Sequence, residues 1–189
     1  RDVSVTTAYG TGTLTGGFTV DAAAPPAPNA WYEQLTASDA ASGVYGANWR
    51  CQTFTPTTSH ICNTVSLSLC KTGSPAFTAT IALYGADANH LPVGPVLCAT
   101  SFAASSLTTT PAWCTYSFGT GYEVLAGSTY AIVLSGSGGD SSNTVRVGVD
   151  TTGGYGAGQR GYTTNAGSTW VAQPTQDLAF SEGQNPTTW

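Results

Sequence analysis

The chain contains no methionine, a single lysine (Lys71) and only 8% charged residues across its 189 positions. Five Lys and Arg in total are too few to neutralise a run of phosphates, which argues against nucleic acid as a partner. The same shortage rules out a basic membrane-binding face. No apolar run approaches the ~20 residues that span a bilayer as a helix, so no membrane insertion is expected. Five cysteines occur without a Cys-x-x-Cys pair, which argues against structural zinc. Neither GxSxG nor HExxH is present, and the Gly-rich stretch 135–143 has neither a P-loop lysine nor a following helix. The only histidines, His60 and His90, read as exposed loop residues. A calcium site at Asp140 or Asp150 would have no ligand spacing behind it. The expectation is therefore a protein without catalytic residues, metal or cofactor. There is no N-x-S/T sequon, and no ten-residue segment has a helical period. The sequence starts at Arg1 rather than Met, which suggests a processed N-terminus or a fragment.

What is present is Thr, Ser, Gly and Ala, with 41% hydrophobic residues and a net charge of −5. Low charge combined with apolar content argues against disorder. Thr, Val and Tyr between Gly-rich turns point to an all-β protein. Three parts follow from composition. Residues 1–20 read as a β arm. Residues 21–30, with Pro25, Pro26 and Pro28, form a polyproline-like spacer reaching roughly 30 Å. Residues 31–189 form the main domain.

Short strand signals recur through that domain. In "NTVSLSLCK" (63–71), Val65, Leu67 and Leu69 alternate as core positions while Ser66 and Ser68 face out. "AFTATIALYG" (76–85) aligns Phe77, Ala79, Ile81 and Leu83. "STYAIVLSG" (128–136) is nearly continuously apolar, as a central strand would be. "NTVRVGVD" (143–150) alternates again, and "QDLAFSEG" (176–183) closes the series. With "CQTFTP" (51–56), "PVLCATSF" (95–102) and "AWCTYSFG" (112–119), eight strands predict a two-sheet β-sandwich of jelly-roll or immunoglobulin-like type.

The motifs QTFTP, TYAIVL and DLAF, spread over roughly residues 50–183, resemble a family of secreted bacterial β-sandwich modules found in large surface proteins. Most such modules have no assigned function, and the motifs mark fold positions rather than chemistry. Residues 1–20 look different. "RDVSVTTAYGTGTLTGGFTV" resembles the last two strands of an immunoglobulin-like domain of the IPT/TIG type, with the rest of that domain missing.

If the strands around Cys98 and Cys114 pair as neighbours, parity puts both thiols on one face, making Cys98–Cys114 the first choice of disulfide. Cys51–Cys62 is the second, across the turn "TPTTS", and Cys70 is left over. Other pairings, an intermolecular bond, or a buried free thiol at Cys70 stay open. Disulfides would imply an oxidising, extracellular setting.

The arm carries the functional expectation. Val3, Val5, Thr7 and Tyr9 alternate, and after a "YGTG" turn Leu14, Gly16, Phe18 and Val20 alternate again. A hairpin alone in water is marginally stable and exposes unpaired backbone. It could be the remnant of an upstream domain, fold back onto its own sandwich, or insert into another subunit. The last mode resembles donor-strand exchange in pilins, where backbone pairing gives affinity and alternate side chains fill pockets. The expected partner is then another copy of the chain, in a cell-surface filament, with Val3, Val5, Leu14, Gly16, Phe18 and Val20 as the inserted positions. The alternative expectation is a carbohydrate-binding or adhesive module, with Trp49, Tyr155 and Trp170 stacking on glycans.

Overall fold

The computed structural model describes residues 30–185, together with the backbone of two strands nearer the N-terminus, β1 (Val3–Thr7) and β2 (Gly10–Leu14). These two pair antiparallel, from Val3 opposite Leu14 to Thr7 opposite Gly10. β2 therefore starts within the "YGTG" stretch that was expected to form the turn. Among the described residues the hairpin pairs with no other strand.

The main domain is a two-sheet β-sandwich. Its strands are β3 (Ala30–Leu35), β4 (Ala40–Val44), β5 (Trp49–Phe54), β6 (His60–Thr72), β7 (Thr78–Ala86), β8 (Pro92–Ala103), β9 (Ala112–Val124) and β10 (Tyr130–Gly136). They continue as β11 (Thr144–Asp150), β12 (Arg160–Thr163), β13 (Val171–Gln173), β14 (Asp177–Leu178) and β15 (Phe180–Gln184). One sheet has the order β13-β12-β5-β10-β7-β8. The other has seven strands in the order β14-β11-β6-β15-β3, with β4 added on β11 and β9 on β6. Among the described residues the only helix is a 3-10 turn at Ala104–Ser106.

The strands form where the alternation lies, and the alternation supplies the core. Val65, Leu67 and Leu69 of β6 meet Ala79, Ile81 and Leu83 of β7 across the interior, all at most 1% exposed. Val145, Val147 and Val149 of β11 join them. The continuous apolar run of β10 sits between β5 and β7 and is buried on both faces, as a central strand should be. Ser66 and Ser68 do point away from the core, but they are buried too. The Thr115 hydroxyl donates to Ser66 Oγ at 3.1 Å, and the Ser68 amide bonds the Ala179 carbonyl.

The chain crosses from sheet to sheet at most connections, so consecutive strands face one another across the core. This decides the fate of β8 and β9. They were expected to be hydrogen-bonded neighbours, yet β8 pairs with β7 and β9 with β6, in opposite sheets. Each ends its sheet on the same side of the sandwich, where Phe102 and Tyr116 stack with ring centroids 4.6 Å apart. Two close approaches of backbone tune β6 and β15. Gly121, at φ +71°, sits where a Cβ would lie 2.5 Å from the Cys62 carbonyl, at the irregularity in the β6–β9 ladder. Gly183 marks the bulge of β15 against β3, and its Cβ would fall 2.0 Å from the Ala30 carbonyl.

Candidate functional site

Three features stand out: an open strand margin, an aromatic cleft and a buried polar cluster. The margin is formed by β8 and β9. Among the described residues β8 pairs only with β7 and β9 only with β6, so each leaves one long edge without a ladder. Register places Cys98, Thr100 and Phe102 opposite the core residues Leu83, Ile81 and Ala79, and Cys114 and Tyr116 opposite Leu67 and Val65. Their side chains therefore point inward, yet all five are only half-buried. The interior is thinly covered along this side. Val96 (49% exposed) and Trp113 (45%) add apolar surface to the same edges. The stretches 96–103 and 112–118 contain neither a charged residue nor a proline, the usual guards of an open edge.

The margin also explains the cysteines. All five are free thiols. The expected Cys98–Cys114 bridge is not formed. Phe102 meets Tyr116, and Cys98 lies four residues before Phe102 while Cys114 lies two before Tyr116. Because the chain reverses between β8 and β9, the two thiols are offset by about six residues, roughly 20 Å. A disulfide needs Cα atoms within about 7 Å. Cys51–Cys62 is not formed either, because the residues belong to different sheets and face different ways. Cys51 lies on the outer face of β5, its Sγ 2.7 Å from where a Cβ on Gly161 would be, while Cys62 is in the core. Burial pushes the Cys51 thiol up to about 12. Burial and then the Glu182 charge push Cys62 well above the ordinary thiol range. Cys70 is buried, as a small apolar residue would be.

The aromatic cleft lies on the outer face of the six-stranded sheet, about 380 Å³ in volume, and brings Trp49 and Trp170 together with Tyr84. Trp49 is held in place by its indole N–H, which donates to the Gly46 carbonyl at 2.8 Å. Tyr155 is not part of it. Its ring packs edge-on against Phe180 at 5.1 Å and its hydroxyl donates to Glu33 Oε2 at 2.9 Å, so it is a structural residue rather than a glycan platform. Tyr84 was missed in the sequence, because it lies thirty-five residues from Trp49 and only strand order brings them to one face.

The third feature corrects the reading of His60. Instead of lying in an exposed loop, it opens β6 and is 7% exposed. Its Nε2 lies 2.9 Å from Glu182 Oε2, Nδ1 lies 2.9 Å from the Thr58 carbonyl, and Tyr32 stacks on the ring at 3.8 Å. Burial opposes the imidazolium, but the Glu182 carboxylate and the Thr58 carbonyl outweigh it, so the His60 pKa is raised. Glu33 is the register partner of Glu182 and is filled by the Thr57 amide at 3.1 Å and by Tyr155. Glu182 Oε1 has no hydrogen-bond partner. No sequence motif announced this cluster, since His60 and Glu182 are 122 residues apart. His90 is a turn residue at φ +57°.

The two aspartates weighed for calcium are engaged locally. Asp140 accepts from the Ser142 and Asn143 amides, and Asp150 from Thr152 and Gly154. Among the described residues no three His, Cys, Asp or Glu side chains gather as a metal site. No helix among them is long and apolar enough to cross a membrane. Gly16, Phe18 and Val20 lie outside the described residues, while Val3, Val5 and Leu14 lie on β1 and β2.

Fold and site together define a two-sheet β-sandwich module with one unguarded margin and one aromatic cleft. No family model and no curated protein matches the chain.

Proposed function

We propose that this chain is the structural subunit of an extracellular, pilus-like filament, in which the N-terminal arm of one copy adds to the open margin of the next. The observation that carries this reading is the pairing of two unguarded features. One is a sandwich side where both edge strands are long, free of charge and proline along 96–103 and 112–118, and backed by half-buried inward side chains. The other is an arm whose strands pair only with each other among the described residues.

The lengths agree. The seven residues 112–118 precede the β9 irregularity and offer a regular edge to a five-residue strand such as Val3–Thr7 or Gly10–Leu14. Backbone pairing supplies affinity that does not depend on charge, which suits a chain with so few ionisable groups. Arm and margin are different surfaces, so the contact is heterologous and propagates into an open helical array.

Electron microscopy and light scattering of the purified chain test the proposal. Wild type forms filaments. A chain lacking residues 1–20, and Trp113→Lys, which puts a charge on the open edge, remain folded monomers. Filaments that persist unchanged without residues 1–20 sink the proposal, as does a wild type that stays monomeric at high concentration.

A further inference from the structure

The cleft between Trp49, Tyr84 and Trp170 opens on the outer face of the six-stranded sheet and meets β8 only at Pro92, Val93 and Gly94, before the stretch 96–103 offered to strand addition. We propose that it is a binding site for a neutral pyranose sugar. Its volume of about 380 Å³ lies at the lower end of the range of small-molecule sites.

The lining contains no Asp, Glu, Lys, Arg or His, so it selects for an uncharged ligand. Three aromatic rings provide flat apolar faces, matched to the C–H face of a pyranose. Polar groups are available beside them. Tyr84 Oη and Trp170 Nε1 make no hydrogen bond among the described residues, whereas Trp49 Nε1 is committed to the Gly46 carbonyl. A disc with an apolar face and a rim of hydroxyls uses both kinds of contact at once.

The cleft is also built in advance. Gly167, at φ +84°, brings backbone so close to the Trp49 ring that a Cβ there would lie 3.0 Å from it. The ring is thus clamped between its hydrogen bond and this turn, which lowers the ordering cost of stacking a ligand. On the other wall, Gly94 at φ +79° has nothing within 4 Å of a would-be Cβ, so the backbone there leaves open space for a ring.

Tryptophan fluorescence, titrated with cellotetraose, maltotetraose, mannotetraose and chitotetraose, tests the assignment. At least one of these saturates the signal with Kd below about 1 mM. Trp170→Ala weakens that binding at least about tenfold, Tyr84→Phe weakens it about threefold, and Trp113→Ala, at the distant margin, leaves it unchanged. Far-UV circular dichroism confirms that each variant is folded; should Trp170→Ala unfold, Tyr84→Ala takes its place. The assignment is overturned if none of the four sugars saturates below about 10 mM, or if the folded cleft variants bind as wild type does. Loss of filaments in the arm deletion has no bearing on either outcome.

Discussion

Replacing His60 probes the buried polar cluster directly. The His60–Glu182 pair has side chains 2% and 0% exposed and a contact of 2.9 Å. Removing one member strands the other. In His60→Leu, Glu182 stays in the core without its imidazole partner, and its Oε1 has no hydrogen bond even in the wild type. Breaking a buried pair in this way costs about 3–5 kcal/mol. With a urea m-value of about 2 kcal/mol/M, the midpoint drops by about 1.5–2.5 M. The double variant His60→Leu/Glu182→Met removes both charges while keeping volume, and recovers most of that loss. The pair also sets a pH dependence. Because the folded His60 pKa is raised, its contribution is complete below the unfolded value of about 6.5 and is lost as pH rises through the folded value. Wild-type stability therefore declines on the alkaline side of about 6.5, and His60→Leu abolishes that part of the slope. Denaturant titrations of wild type, His60→Leu, Glu182→Met and the double variant from mildly acidic to mildly alkaline pH provide the measurement. The reasoning is refuted if His60→Leu costs less than about 1 kcal/mol, or if the losses of the two single variants simply add in the double.

Three other outcomes follow from the packing. Gln52, fully buried, donates to Asp177 Oδ1 at 2.8 Å and accepts from the Leu178 amide at 2.6 Å, so it ties the two sheets together. Gln52→Leu leaves both of those groups unpaired and lowers unfolding free energy by about 2–4 kcal/mol in the same denaturant assay. Gly183→Ala forces the β15 bulge away from the Ala30 carbonyl and costs about 1–3 kcal/mol, visible as a lower thermal midpoint. Alkylation of the native protein with iodoacetamide at pH 8, read by mass spectrometry, leaves Cys51 and Cys62 unmodified while unfolded protein takes up five labels; rapid native labelling of either contradicts their burial.

The strands legible in the sequence were those whose period was long and clean. β6, β7, β10 and β11 each carry enough alternating or continuous apolar residues to declare both a strand and its inner face. β3, β4, β12 and β13 were not legible. β3, β4 and β12 are four to six residues long and carry Gly, Ser, Glu or Arg, and β13 has only three residues, so their extended form comes from neighbours in the sheet rather than from their own pattern. Trp49 and Trp170 were legible as aromatics in irregular segments, but nothing local distinguished them from Tyr155, which the fold turns inward onto Phe180 and Glu33. The cysteines were misread for a related reason. Parity puts Cys98 and Cys114 on one face only if their strands pair, and it cannot say whether two consecutive strands share a sheet.

Local pattern alone therefore determined the all-β class and the inner faces of the long strands. Each of these depends on side-chain chemistry repeated along the chain every two residues. Tertiary structure alone decided which strands are left at the edge, which aromatics meet in a cleft, and that His60 finds Glu182. These depend on sheet order, a product of crossings between the two sheets that brings residues more than a hundred positions apart into contact, and no periodicity along the chain encodes it.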